Sequence, residues 1–274
     1  FDDNNEVAIA RMGVVGLICN SLSHFRQVKD VVLASVRTLR NLAFNPCNHF
    51  YFDEQRLKLI VDVMRGHESK AAVMKHGVWI FKNIAVVNAT HARLHQTGAV
   101  ALTLDITRRF ATDAGVTSHA VWTLWNLCVN PAMEVVLSQG GGIELVLNAL
   151  RRFAQDDFVV KQAIGALRSF AAYKKNWEII MNHNFVNMAV QLVRTHLRSE
   201  HGAGIVSECF NTLRLLSRTQ CVEDRAGDSF ISLAVRSLKE LKHEVKAATN
   251  ILRALMVFVD NDANRAIFLT ANGI

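Results

Sequence analysis

Two stretches, His67-Glu68-Ser69-Lys70-Ala71 and His243-Glu244-Val245-Lys246-Ala247, open like the helix of a zinc protease. Each has alanine where the second histidine ligand must stand, so neither builds that site. His91-x-x-x-His95 places two imidazoles on one helix face, half of a metal site. No nearby Cys, Asp or Glu completes it and zinc takes at least three protein ligands, so the pair reads as polar and solvent-facing. Gly140-Gly141-Gly142 lacks the Gly-Lys-Ser/Thr ending that cradles phosphate. There is no G-x-S-x-G elbow, and no cysteine has a histidine beside it in sequence. The chain therefore offers no catalytic residue, no metal site and no cofactor motif.

It does repeat a pair suited to gripping another chain: Trp79 with Asn83, and Trp122 with Asn126, spaced by 43 in both columns. An amide has both donor and acceptor, matching the alternating C=O and N–H of an extended peptide. A tryptophan face attracts a cation and covers its aliphatic stem. The alternative is packing between repeats, which fits Trp125 and Trp177 better because neither has the paired asparagine. One residue before the asparagine column stand Arg40, Lys82, Trp125, Arg168, Arg214 and Arg253, basic but for Trp125. Lys75, Lys161 and Lys246 form a partial column eight before it, and Arg37 precedes Asn41 by four. Such a face attracts an acidic ligand and opposes a basic one. The competing reading is a solvated helix edge whose cations pair with acids of neighbouring repeats. The candidate binding residues are thus Trp79, Asn83, Trp122, Asn126, Asn41, Arg37, Arg40, Lys82, Arg168, Arg214 and Arg253.

The elements that position these residues follow from repetition. Six segments superpose without gaps: Val36-RTLRNLA, Val78-WIFKNIA, Val121-WTLWNLC, Ile164-GALRSFA, Phe210-NTLRLLS and Thr249-NILRALM. A second apolar column, Val15, Leu57, Val100, Ile143, Val186, Ile231 and Ile274, keeps the same period. Within a unit the apolar residues follow helical spacing, as in Val160, Ala163, Ile164 and Leu167. Asn45-Pro46 and Asn130-Pro131 stop one helix, and Gly98, Gly140 to Gly142 and Gly273 precede another. Each unit reads as a short first helix, a second of about three turns and a longer third. Such a unit cannot bury its own apolar face and must stack on its neighbours. With 14 Gly and 2 Pro in 274 residues there is too little turn chemistry for a β-sandwich or a disordered chain.

These segments resemble the armadillo-repeat family, whose consensus runs G-G-I-x-x-L-V, a polar turn, then A-x-x-A-L-x-N-L-A. Gly141-Gly142-Ile143-Glu144-Leu145-Val146 and Ala120-Val121-Trp122-Thr123-Leu124-Trp125-Asn126-Leu127 carry it most clearly. The asparagine gives way to Ser169, Leu215 and Ala254, and Arg56-Leu57 has no glycine before it. Huntingtin-type two-helix repeats are the structural alternative. The resemblance implies an all-α, right-handed α-solenoid whose third helices line a groove, with the column asparagines holding a peptide backbone. Repeats fall at 5–46, 47–88, 89–131, 132–174, 175–220 and 221–261, with a further one opening at 262–274. Neither end has a polar cap, so the array is expected to continue in a longer protein.

The expected function is a non-enzymatic scaffold or adaptor taking an extended, acidic peptide. Two alternatives share the fold. One is an import adaptor of the importin-α type, which W-x-x-x-N resembles and which binds basic signals. The other is nonspecific nucleic-acid binding, for which a net charge of +7 is modest. Five cysteines without a C-x-x-C pair point to a reducing, cytoplasmic location with access to the nucleus. The longest uncharged stretch, Ala114 to Met133, holds Ser118, His119, Asn126, Asn130 and Pro131, which are costly in hydrocarbon, so no membrane insertion is expected.

Overall fold

Apolar residues at helical spacing become helices throughout the chain. The computed structural model describes residues 3–217, 220–259, 265 and 268–269, and among these no strand occurs. In the first repeat stand α1 (Asp3–Arg11), α2 (Val14–His24) and α3 (Lys29–Leu42); a 3-10 turn at Pro46–Tyr51, α4 (Glu54–Gly66) and α5 (Ala71–Ile84) make the second. The third has α6 (His91–Gln96), α7 (Ala99–Arg109) and α8 (Ala114–Cys128); the fourth has α9 (Pro131–Gln139), α10 (Gly142–Arg152) and α11 (Asp157–Ala171). Then come α12 (Trp177–Asn182), α13 (Phe185–His196) and α14 (Gly202–Leu216), followed by α15 (Gln220–Glu240) and α16 (Val245–Phe258). The three-helix unit holds except in two repeats. The second has a 3-10 turn for a first helix. In the sixth, α15 runs through both first positions, a stretch with no proline and a single glycine, Gly227, to interrupt it. The repeat expected to open at 262–274 lies outside the described residues apart from Arg265, Phe268 and Leu269.

The chain forms two compact units, Phe1–Leu145 and Val146–Ile274. In the first, α5 packs against both α3 and α8; in the second, α14 packs against both α11 and α16. The periodic columns are the core of each. Val15, Leu57, Val100, Ile143, Val186 and Ile231 are all buried, and so are Val36, Val78, Val121, Ile164 and Phe210 at the head of the aligned segments. Burying such side chains contributes about 2 kcal/mol each.

Turns recur at the same period. Gly13, Gly98 and Gly141 enter the second helix at φ of 80°, 81° and 78°, and Asn184 does so at 58°. Glycine populates that left-handed region without strain, and asparagine is among the few side chains that tolerate it. The second repeat lacks a glycine there, and enters α4 instead from an extended Asp53 whose carboxylate accepts from Arg56 N–H at 2.9 Å. Asp113 and Asp156 cap α8 and α11 in the same way.

A third periodic feature closes the C-termini of the third helices, whose last carbonyls have no partner within the helix. Side chains six residues further on supply it. Asn48 Nδ2 donates to Leu42 O at 2.9 Å, Thr90 Oγ1 to Ile84 O at 2.7 Å and Asn176 Nδ2 to Phe170 O at 2.9 Å. The next residue repeats the device: His49 and His91 place Nε2 on Ala43 O and Ala85 O at 3.0 and 2.8 Å, and Trp177 Nε1 donates to Ala171 O. His91 is therefore not solvent-facing, as its pairing with His95 suggested. It is buried, because a helix-end carbonyl claims its ring, while His95 is exposed. Among the described residues no single helix is long and apolar enough to cross a membrane.

Asn48 also reaches Glu6 O at 3.3 Å and is wholly buried. Asn48→Ala strands two carbonyls, and the expected loss is about 2 kcal/mol in urea unfolding followed by circular dichroism. Phe50→Ala, at a side chain 66% exposed, should change stability by no more than about 0.5 kcal/mol.

Candidate peptide-binding face

Helix stacking turns a spacing of one repeat into side-chain contact. In the first unit Asn83 Nδ2, on α5, donates to Arg40 O in the last turn of α3 at 3.0 Å. Asn126 Nδ2, on α8, donates to Lys82 O in the last turn of α5 at 3.1 Å. The amides that resemblance assigns to a peptide backbone thus hold neighbouring third helices together in the free chain. Asn41 differs: its Oδ1 accepts from Arg40 Nε and Nη2 at 3.0 and 2.6 Å.

The two tryptophans lie in one row with cations on their rings. The Arg40 guanidinium sits 4.5 Å from the Trp79 ring centre, and Lys82 Nζ is 5.2 Å from Trp79 and 4.2 Å from Trp122. His119 stacks on Trp79 with centres 3.9 Å apart. His76 stands between the arginines of α3. Arg37 Nε donates to its Nε2 at 3.2 Å, and Arg40 Nη1 lies 3.0 Å from its Nδ1. Among the described residues none of Arg37, Arg40, Lys75 or Lys82 has a carboxylate within 4 Å.

Burial, joined by this crowding of like charge, lowers His76, His119, Arg40 and Lys82 alike. Burial, then Arg40, Arg37 and Lys75, hold His76 down at about 4; burial, then Lys82 and its neighbours, hold His119 at about 3. Both imidazoles are neutral at pH 7. Burial and Arg40 push the Lys82 ammonium down to about 8. A desolvated cation beside a guanidinium is costly to keep charged.

The second unit treats the same positions differently. Arg168 pairs with Glu208 at 2.8 Å, and Lys246 reaches the same carboxylate at 3.4 Å. Arg214 donates to Asn211 Oδ1 at 2.8 and 3.3 Å, and Asn250 Nδ2 to Ser207 Oγ at 2.9 Å. Arg253, exposed, lines with Arg168 and Lys246 a groove of about 360 Å³. A wider hollow of about 780 Å³ lies at the turn after α10, but the histidine behind it, His196, is locked between Asp157 and Ala154 O.

Of the sequence-predicted residues, the fold gathers Arg37, Arg40, Asn41, Trp79, Lys82, Asn83, Trp122 and Asn126 in the first unit. Arg168, Arg214 and Arg253 fall on the second. Sequence reasoning missed His76 and His119, although they stand 43 apart, each seven residues before a column asparagine, and so carried the repeat's own signature.

A family model described as the C-terminal domain of zer-1-homolog-like proteins matches residues 2–212. The chain belongs to this family. No curated protein sequence matches it. The zer-1-homolog-like fold has counterparts of known structure. A chain from a β-catenin structure, solved in work on a phosphorylation switch controlling the interaction between cadherin and β-catenin, superposes with a TM-score of 0.79 at 15% identity, covering 97% of this chain and 53% of that one. An engineered protein of a structural genomics programme superposes with a TM-score of 0.69 at 19% identity, covering 90% and 96%. These likenesses establish the armadillo-type α-solenoid fold of this zer-1-homolog-like chain.

Lys82 gives this face a pH signature. Its folded-state value lies below the ordinary lysine value of 10.5, so its charge opposes folding. That cost is full below pH 8, shrinks as pH rises towards 10.5 and then vanishes. Lys82→Met should therefore stabilise the chain by roughly 2 kcal/mol at pH 7. In urea unfolding at pH 7 and pH 10, the gap between variant and parent should narrow at the higher pH.

Proposed function

We propose that this chain is a non-enzymatic interaction module whose third-helix face in the first unit binds an extended, acidic segment of another protein. The observation that carries the reading is the group Arg37, Arg40, Lys75 and Lys82, four cations with no carboxylate within 4 Å among the described residues. An acidic ligand is drawn to that field before contact and compensates it on arrival. The armadillo-type fold supports a protein partner, and the β-catenin structure, from work on that protein's interaction with cadherin, is an example of the fold serving in protein binding. With stacked helices ~9 Å apart and ~3.3 Å per extended residue, each repeat addresses about three ligand residues. A cytoplasmic location with access to the nucleus goes with this proposal.

The import-adaptor reading needs tryptophan faces open to a ligand's lysines. Here Arg40 and Lys82 of the chain itself lie over those rings, which supports an acidic ligand over a basic one. The nucleic-acid reading draws on the same field, but rests on charge alone.

The expected result in calorimetry is tighter binding of a fifteen-residue Asp/Glu-rich peptide than of a lysine-rich peptide of equal length at the same salt. Affinity for the acidic peptide should fall as ionic strength rises from 50 to about 300 mM, as screening requires. Tight binding of the lysine-rich peptide alone would overturn the assignment.

A further inference from the structure

The two units contain the same contact with different chemistry. The residue just before the column position on one third helix meets, on the next, the residue seven before its own column position. In the second unit that contact is Arg168 with Glu208, an ion pair at 2.8 Å that also takes Lys246. In the first unit it is Arg40 with His76, and Arg37 joins from the other side of the ring. Where one unit keeps an internal carboxylate between its cations, the other has an uncharged imidazole.

That imidazole cannot satisfy both arginines. A neutral ring has one acceptor nitrogen, and its other nitrogen carries a hydrogen. Arg37 Nε approaches Nε2 at 3.2 Å and Arg40 Nη1 approaches Nδ1 at 3.0 Å, so one guanidinium N–H faces another N–H. Arg40 rests on the Trp79 ring and donates to Asn41 Oδ1, but among the described residues neither guanidinium has a carboxylate within 4 Å, and one has a donor turned on a donor. Arg37 is exposed, so a ligand reaches the cluster without opening the core.

We propose that Arg37, His76 and Arg40 form a phosphoryl-binding site, which takes one phosphate monoester carried by the acidic peptide segment inferred above. A side-chain carboxylate carries one negative charge. A phosphate monoester carries close to two, with three acceptor oxygens, which suits two guanidiniums three residues apart on one helix face. Charge-assisted, bidentate hydrogen bonds to arginine are the strong form of this contact. Lys75 and Lys82 flank the cluster and add to its field. The site rests on the acidic-ligand reading and adds to it a requirement for a dianion at one ligand position.

The second unit supplies the design of the test. His76→Glu copies the Glu208 arrangement, filling the site with an internal anion, and Arg37→Gln removes one exposed donor. Three fifteen-residue peptides, identical but for a central phosphoserine, glutamate or serine in a Glu-rich background, are titrated against the whole chain and both variants by fluorescence anisotropy. Thermal melting by circular dichroism accompanies each. The phosphoserine peptide should bind the parent at least tenfold more tightly than the glutamate peptide. His76→Glu should abolish that preference, and Arg37→Gln should reduce it about fivefold. Neither should lower the melting temperature, because each relieves repulsion, whereas a merely structural cluster would lose stability in both. Equal binding of phosphoserine and glutamate peptides would overturn the phosphoryl site and leave the acidic-ligand reading standing. Failure of all three peptides to bind would overturn both. A single-stranded oligonucleotide that displaces the phosphopeptide at equal concentration would overturn the site in favour of nucleic acid.

Discussion

Hydrogen bonds that reach across one repeat organise both units. Asn83 to Arg40 O, Asn126 to Lys82 O and Thr123 to Val78 O link residues 43 to 45 apart, and Asn250 to Ser207 does the same in the second unit. Each such bond fixes the height of one third helix against the next. The apolar columns then meet in register, and the polar column beside them becomes a row of neighbours. A 43-residue unit has no stable arrangement alone, so the proposed binding face exists only as a product of stacking. The carbonyls at the third-helix ends add a second constraint. They draw Asn48, Thr90, Asn176 and the rings that follow them inwards, and so set where each repeat begins.

The role of charge follows from the same register. Because α3, α5 and α8 lie side by side, Arg40 and Lys82 reach Trp79 and Lys82 also reaches Trp122. The tryptophans hold the chain's own cations, and Asn83 and Asn126 are spent on neighbouring helix ends. Under the proposed function, what is left for a partner is positive charge. Unit by unit the balance differs: Glu208 offsets Arg168 and Lys246, whereas His76, held neutral by burial and by its arginines, offsets nothing.

Most of the fold was legible in the sequence because helix boundaries were marked by residues with a strict local job. Pro46 and Pro131 stand at helix starts, and Gly98 and Gly141 take the left-handed turn; Gly13 and the Asp113 and Asp156 caps do the same kind of work but emerged only with the structure. Asn184 does a glycine's work and Asp53 avoids the need for it, which the repeat column alone did not reveal. The candidate face was legible as columns but not as contacts. Spacing placed Arg40, Lys82 and Arg168 in one column, yet what each touches depends on the next repeat, where Trp79, Trp122 and Glu208 differ in kind. His91 shows the same limit: a pattern along one helix pointed outwards, while a carbonyl from the preceding helix turned the ring inwards.

The chain has four tryptophans, and their indole N–H signals report on the central claim directly. Trp79 and Trp122 lie on the third-helix face, whereas Trp177 sits on α12 with its Nε1 bonded to Ala171 O. Titrating ¹⁵N-labelled chain with a fifteen-residue Asp/Glu-rich peptide should shift the Trp79 and Trp122 indole resonances in saturable fashion and leave Trp177 unmoved. Saturable binding that shifts Trp177 and leaves Trp79 and Trp122 in place would contradict the account.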